Sequence, residues 1–380
     1  MEYELGELLP YEQPADYIVE STDYDDSYKT PVLTAGKSFI IGYTNETKGI
    51  YTKLPVIIFD DFTTSSQYVD FPFKVKSSAM KILSVNSEIA DLKYLFYKMQ
   101  TIQFDSANHK RYWISEYSKI KLDLPTLAEQ QRIVNRIETM FAKLDEAKEK
   151  AQNAVDSFET RKAAILHKAF NGQLKIDNEE LTIENWEDTT IGECCRLGSG
   201  GTPSKSHPEY YENGDIPWLK IGEIDWNDIY DVEERITNEG VENSSAKIFP
   251  AESVVVAMYG MGVTRGKAAI IKIPTATNQA VCDLQPNEKL NNRFLFYYFM
   301  CNYWQIREQS VGGNQLNLSG KIIASFSIKL PPLNYQLSIV NFLDTVLEKE
   351  SRAKEASQTV LDQIALLKKS ILARAFRGEL

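Results

Sequence analysis

The sequence predicts an α/β protein of the α+β kind with an internal pseudo-twofold repeat: a globular module, a long helix, and the same pair again. Three observations lead there. Leu124-Pro125-Thr126-Leu127 returns as Leu330-Pro331-Pro332-Leu333, 206 residues later, and about two-fifths of positions 124–174 match 330–380 without a gap. Both matching stretches carry apolar residues at alternating steps of three and four, over roughly 45 residues free of Pro and Gly. The regions between them are short apolar or alternating runs broken by turn residues, the pattern of many short strands. A match of that length is a duplication.

The elements follow in order. Residues 1–123 form the first module, with Pro55–Phe59 as a buried strand, Leu92–Met99 as a short aromatic helix and Ser118–Leu122 as its last strand. Residues 124–174 form the first long helix, starting behind Pro125 and ending at Gly172, where a left-handed cap is expected. Its seam is Ile137, Met140, Leu144, Ala147, Ala151, Ala154, Phe158 and Ile165. Residues 175–329 form the second module, whose Ser253–Ala257, Asn292–Met300 and Ser325–Leu330 correspond to the three elements of the first. Residues 330–380 form the second helix, ending at Gly378, with Leu343, Val346, Ala353, Val360, Ile364, Leu367 and Ile371 in the same register. Glu350 and Ser357 interrupt that seam. Equal registers over several heptads predict that the helices pair with each other. At about 1.5 Å per residue each would be a rod of about 65 Å.

Composition sets limits. With 43% apolar and 25% charged residues among 380, the chain has the balance of a folded protein of two or three domains. No run approaches eighteen apolar residues, so no membrane span is expected. The acidic, polar start and four cysteines at 194, 195, 282 and 301 point to the cytoplasm. The net charge of −11 argues against wrapping nucleic acid, although it leaves room for a local basic face.

Five loops carry the residues suited to recognition. In the first module they are Asp61–Ser66, with Thr63, Thr64 and Ser65, and Asn108–Trp113, with His109, Lys110 and Arg111. In the second they are Gly198–Lys205, with Ser199, Thr202, Ser204 and Lys205; Gly260–Lys267, with Thr264, Arg265 and Lys267; and Gly312–Asn317, with Asn314 and Gln315. Arg, Asn and Gln read base edges, while Lys, Ser, Thr and backbone N–H groups hold phosphates. Each loop alone is also an ordinary solvated loop; their recurrence in both modules carries the DNA reading. The Gly198 loop is expected to be flexible. The glycine patterns lack dinucleotide or phosphate-loop spacing. Asp70-Phe71-Pro72-Phe73 only faintly resembles an amino-methyltransferase tetrapeptide, and the histidines at 109, 167 and 207 offer no zinc spacing. A binding protein without chemistry or metal of its own is the expectation.

The chain resembles the specificity (S) subunits of type I restriction-modification systems over essentially its whole length. The marks are Leu124–Val134, repeated at Leu330–Val340, and Ala163–Leu174, repeated at Lys369–Leu380. Gly200-Gly201-Thr202-Pro203-Ser204 followed by Asp215–Lys220 looks like the start of a family target-recognition domain. The resemblance implies two target-recognition domains, each reading one half of a bipartite double-stranded DNA sequence. It implies spacer helices that pair antiparallel and dock two methyltransferase (M) subunits, with restriction (R) subunits joining them. S-adenosylmethionine, ATP and magnesium would belong to those partners, and so would much of the phosphate neutralisation. The first module departs from the family by lacking the Gly-Gly-Thr-Pro-Ser opening. The second helix departs at Asn334-Tyr335-Gln336, where an acidic residue usually precedes the Gln; a weakened helix start or M-subunit contact is expected there. The competing readings are a solitary DNA methyltransferase or nuclease, which a cofactor-binding assay separates, and a coiled-coil scaffold that does not bind DNA.

Overall fold

A computed structural model of the chain describes residues 2–36, 38–104, 111–176, 179–180, 186–260, 262–311 and 317–380. It divides into two compact units, Met1–Asn153 with Ser357–Leu380, and Ala154–Ala356. Each unit therefore takes in one module, the near half of one long helix and the far half of the other.

In the first unit, Glu2–Glu4 pairs antiparallel with Lys121–Asp123, so the module's last strand lies on its first. A four-stranded sheet follows, from β1 (Tyr11–Glu12), β2 (Val56–Asp60), β3 (Ser66–Val69) and β4 (Met80–Leu83), in the order β1-β4-β2-β3. Val56, Ile57, Ile58 and Phe59 are all fully buried, which explains why β2 is an unbroken apolar run. Helix α1 (Leu92–Met99) packs on the sheet through Leu92, Tyr94, Leu95 and Met99. Phe73 of the methyltransferase-like tetrapeptide is a fully buried core residue.

The first long helix is α2 (Leu127–Asp156) continued by α3 (Phe158–Phe170), with a break at Ser157 where one uninterrupted rod was expected. The Arg161 guanidinium reaches the Ser157 hydroxyl and the Ala154 carbonyl, drawing that carbonyl out of the helical ladder. The second unit repeats the plan of the first. Glu187–Thr190 pairs antiparallel with Ser327–Leu330. A five-stranded sheet of β5 (Cys195–Ser199), β6 (Asp228–Ile229), β7 (Val254–Ala257), β8 (Ala268–Ile271) and β9 (Val281–Pro286) runs β5-β9-β7-β8-β6. Helix α4 (Asn292–Cys301) covers it with Phe294, Leu295 and Phe299. Helix α5 (Leu333–Ala375) is unbroken.

The repeat reaches further into the modules than the 206-residue offset reveals. Leu5-Gly6-Glu7-Leu8-Leu9 and Ile191-Gly192-Glu193-Cys194-Cys195 are the same one-turn helix, each closed by a capping box. Leu5 N–H donates to the Ile120 carbonyl and Ile191 N–H to that of Phe326. A Cβ at Gly6 would lie 2.9 Å from Ser118 Cβ, too close to fit without a shift, and one at Gly192 3.1 Å from Ala324 Cβ, so that the same close approach recurs in both modules.

The two long helices run antiparallel in each unit. In the first unit Ile137, Leu372 and Ala375 are buried together, and Lys368 reaches Asp145 at 2.6 Å. In the second, Arg161 pairs with Glu350 at 2.8 Å and Lys354 with Glu159 at 3.6 Å. Phe158, Leu343, Ile364 and Leu372 are buried, and Leu144, Ile165 and Ile371 half-buried. Leu343 and Ile165 pack on the core of the second module as well. Val360 does not join the seam: it is 40% exposed, and Leu361, Ile364 and Lys368 turn inward instead. The inward residues keep the heptad, Glu350, Ser357, Ile364 and Ile371 alternating with Lys354, Leu361 and Lys368; the second seam position falls four residues after the first rather than three, which leaves Val360 outside. Two of the inward positions are lysines, whose stems lie across rings: Lys354 Nζ is 4.4 Å from the Phe158 centroid and Lys368 Nζ 4.9 Å from that of Phe141.

Both helix starts are clamped in the same way. Gln130 is fully buried; its Oε1 accepts from Asp91 N–H at 2.8 Å, and its Nε2 donates to the carbonyls of Ile89 and Pro125. Gln336 is equally buried; it accepts from Asn291 N–H at 2.8 Å and donates to Lys289 and Pro331. Asp91 and Asn291 are the N-caps of α1 and α4, so each glutamine ties a long helix to the helix of its module. The expected weak start at Tyr335 is not found. Glu129 spends its charge on neighbouring Arg132, whereas Tyr335 packs on the core, and the clamp belongs to the glutamine that follows.

Candidate nucleic-acid interface

In each module the turn after the central buried strand is a candidate contact, and so is the segment that follows the helical layer. Folding puts the two together. In the first module β2 ends at Asp60, whose Oδ1 accepts from the N–H groups of Phe62 and Thr63. Thr64 closes the turn with φ 59°, in the left-handed region. Phe62 and Thr63 are exposed, Thr64 and Ser65 half-buried. Tyr112 N–H donates to the Asp61 carbonyl and Trp113 N–H to Asp61 Oδ1, both at 2.8 Å, so exposed Arg111 sits beside this turn. In the second module Leu318 N–H donates to the carbonyl of Met258, just past β7, at 2.9 Å. His109, Lys110, Asn314 and Gln315 lie outside the described residues.

The Gly260–Lys267 loop is held from behind by a short helix, Tyr303–Glu308. Arg307 donates to the carbonyls of Arg265, at 2.6 Å, and Gly262, and Tyr303 Oη donates to that of Val263. Arg307 also stacks on Tyr303 and Trp304, and Trp304 is 66% exposed. Burial and the adjacent Arg307 charge hold the Arg265 guanidinium below its ordinary pKa. Two guanidiniums kept together at one turn repel each other, and an anion between them would relieve that repulsion. Tyr303, Trp304 and Arg307 were missed in the sequence because helical spacing disguises them as a surface helix.

Lys267 is drawn away from the role expected of it. It is ion-paired to Asp225 and its side chain is 16% exposed. Its backbone fixes it there: Ala257 N–H donates to the Lys267 carbonyl, continuing the β7–β8 ladder. Half-buried Thr264 supplies the carbonyl that Lys267 N–H meets.

The Gly198 loop is wedged rather than flexible. A Cβ on Gly200 would lie 1.9 Å from the Thr277 carbonyl oxygen, and one on Gly201 2.0 Å from Ser245 Oγ. Gly201 N–H donates to Thr277 and its carbonyl accepts from Trp218 Nε1. Exposed Thr202 donates to Gln279 Oε1 at 2.5 Å, and Met258 N–H donates to the neighbouring Ala280 carbonyl. One hydrogen-bonded path thus joins Thr202, Gln279, Met258 and Leu318. Ser199 is the exposed end of β5; Ser204 bonds to Ser206, and Lys205 is exposed. Exposed Gln279 is a further amide beside Thr202, hidden in the sequence by its place between two strands.

Among the described residues no group of His, Cys, Asp and Glu is arranged to hold a metal ion. All four cysteines are free, and burial pushes the thiols of Cys195 and Cys282 up to about 12, so they stay protonated. No described helix is long and apolar enough to cross a membrane.

A pair of mixed α/β modules, each with clustered polar loops and joined by antiparallel helices, defines a two-headed binding protein. The model of the type I restriction modification DNA specificity domain matches residues 1–156 and 183–361, and the chain belongs to that family. It is 37% identical over 355 residues to the EcoR124I/EcoR124II type I restriction enzyme specificity subunit of Escherichia coli, covering 90% of this chain and 85% of that one. It is 26% identical over 193 residues to the MjaIX specificity subunit of Methanocaldococcus jannaschii, covering 48% and 42% of the two chains. The fold matches the HsdS subunit of Thermoanaerobacter tengcongensis with a TM-score of 0.65 at 18% identity, covering 100% of this chain and 97% of that one. A chain from a study of type I R-M complex assembly and conformational transition matches at 0.69, again at 18% identity, covering 100% and 98%. The role of the chain is DNA sequence specificity in a type I restriction-modification system.

Proposed function

We propose that each module reads one half of a bipartite double-stranded DNA target and that the paired helices fix the distance between the halves. The observation that carries this is the equivalent placement of loops in both modules, through Tyr112 N–H on Asp61 and Leu318 N–H on Met258. The readers are Thr63, Thr64, Ser65 and Arg111 in the first module, joined by His109 and Lys110. In the second they are Ser199, Thr202, Ser204, Lys205, Thr264 and Arg265, joined by Asn314 and Gln315, with Arg307 beside them. Two methyltransferase subunits dock on the helices, restriction subunits join them, and the assembly works in the cytoplasm. S-adenosylmethionine, ATP and magnesium bind those partners, and this chain holds no cofactor. The acidity is tolerable because most phosphate neutralisation then falls to the partners.

The test is geometric. Inserting one heptad at equivalent positions of both helices lengthens the rod by about 10 Å, roughly three base pairs of DNA. Methylome sequencing of cells carrying the variant with its methyltransferase subunits is expected to show the same half-sites with a longer spacer. Altered half-sites at an unchanged spacer would overturn the reading. Arg265→Ala is expected to relax one position of one half-site, by the 1–3 kcal/mol that a good bidentate contact supplies, roughly 5- to 150-fold in discrimination. Unchanged discrimination would remove Arg265 from the readers.

A further inference from the structure

Asp61 and Lys81 form a salt bridge of 3.2 Å in which both side chains are 1% exposed. Lys81, on β4, also donates to Gln13 Oε1 at 3.2 Å and lies 5.4 Å from the Tyr11 ring centroid. Taking two charges out of water costs several kcal/mol per ion, and an apolar pair of similar size is often as stable or more so. Stability therefore gives little reason for the pair.

Its geometry gives one. Asp61 is the first residue of the turn that carries Thr63–Ser65. Its N–H donates to the Ala79 carbonyl and its own carbonyl accepts from Tyr112 N–H, at 2.9 and 2.8 Å. Its side chain divides the remaining work: Oδ2 faces Lys81 and Oδ1 accepts from Trp113 N–H at 2.8 Å. Trp113 is 1% exposed and packs edge-on against Phe59, so the segment after Arg111 is pinned at both backbone and side chain. The second module has only the backbone half of this arrangement, through Met258 and Leu318.

We infer that Asp61, held by Lys81, is a positioning residue for DNA recognition by the first module: it fixes the Arg111 segment against the Thr63–Ser65 turn. The lysine neutralises the buried carboxylate, and the side-chain oxygen that accepts from Trp113 N–H sets the spacing of two reading loops. This rests on the proposal that those loops read one half-site.

The test uses the full chain in complex with its methyltransferase subunits and plasmid libraries randomised in one half-site at a time. Asp61→Leu/Lys81→Met removes the charges together with the Trp113 acceptor. Asp61→Asn/Lys81→Met removes the charges and keeps the acceptor. The first variant is expected to lose at least tenfold in discrimination at one half-site, the other half-site staying as in wild type. The second is expected to stay within about threefold of wild type at both. Should the apolar pair discriminate normally, or both half-sites degrade together, or the asparagine variant lose as much as the leucine one, the inference falls. If the leucine variant does not assemble, the asparagine variant decides: normal discrimination supports the inference and tenfold loss overturns it. A wild-type complex with no preference in either library would instead overturn the half-site reading itself.

Discussion

Gln336→Ala is expected to cost the second unit about 3–4 kcal/mol, and Gln130→Ala the same in the first. Each glutamine is fully buried and uses both ends of its amide. Truncation leaves one N–H donor and two carbonyls without their partner, and such groups cost about 1–3 kcal/mol each. Gln→Glu is the sharper variant, because a carboxylate still accepts from Asp91 or Asn291 N–H but repels the carbonyls that the amide served. Chemical denaturation of the full chain, followed by a probe in each unit, checks this. A loss below 1 kcal/mol for the alanine variants would show that the clamp adds little. The same substitutions free α1 or α4 from its long helix, so the affected unit should also exchange amide protons faster there.

Asp283→Asn is expected to stabilise the second unit at neutral pH and to do nothing near pH 4. Asp283 lies in the middle of the five-stranded sheet, opposite Gly198 and Val255, with no exposed surface. Oδ2 accepts from Gln285 Nε2 at 2.8 Å, and the Ser253 hydroxyl also acts on the carboxylate. Burial pushes its carboxyl up from 3.8 to about 6, against the opposing hydrogen bonds of Gln285 and Ser253. The fold thus prefers the neutral acid. Below pH 4 both folded and unfolded chains hold the proton and no penalty arises. Between pH 4 and 6 the unfolded chain releases it first, so stability falls as pH rises, and above pH 6 the full penalty of about 3 kcal/mol is present. Asparagine keeps the shape without the charge. Unfolding of variant and wild type across pH 4–8 should show a gap opening over that window; a gap independent of pH would refute the assignment.

How much of this was legible follows from distance along the chain. The long helices, their caps and their repetition are local patterns, and an ungapped comparison suffices to find them. The repeat of Leu5-Gly6-Glu7 in Ile191-Gly192-Glu193 escaped because the modules differ in length, so a single offset fails within them. The loops were recognisable as polar turns, but their company was not. Nothing in the spacing of Asp61, Lys81 and Trp113 marks them as neighbours; the β2–β4 pairing and the packing of Trp113 on Phe59 do. Lys267 looked like a free cation because its acid partner, Asp225, stands 42 residues away. Val360 looks like a seam residue because the same heptad fits two flanks of the helix, and only packing selects Leu361 over it.

The lysines of the α5 seam make the pairing discontinuous. Lys368 rests on Phe141 with Asp145 alongside, and Lys354 on Phe158 with Glu159 alongside. Each such set contributes only about 1 kcal/mol. The alternatives are worse than the loss of that contribution. A slip of one heptad toward the C-terminus of the first helix would set Lys368 against Lys148 and Gln152, and Lys354 against Ile165 and Leu166. An all-apolar seam would creep between neighbouring registers at small cost. Charged sets at fixed places thus make neighbouring registers distinct states rather than a continuum, and within each unit the helix pairing is held in one setting.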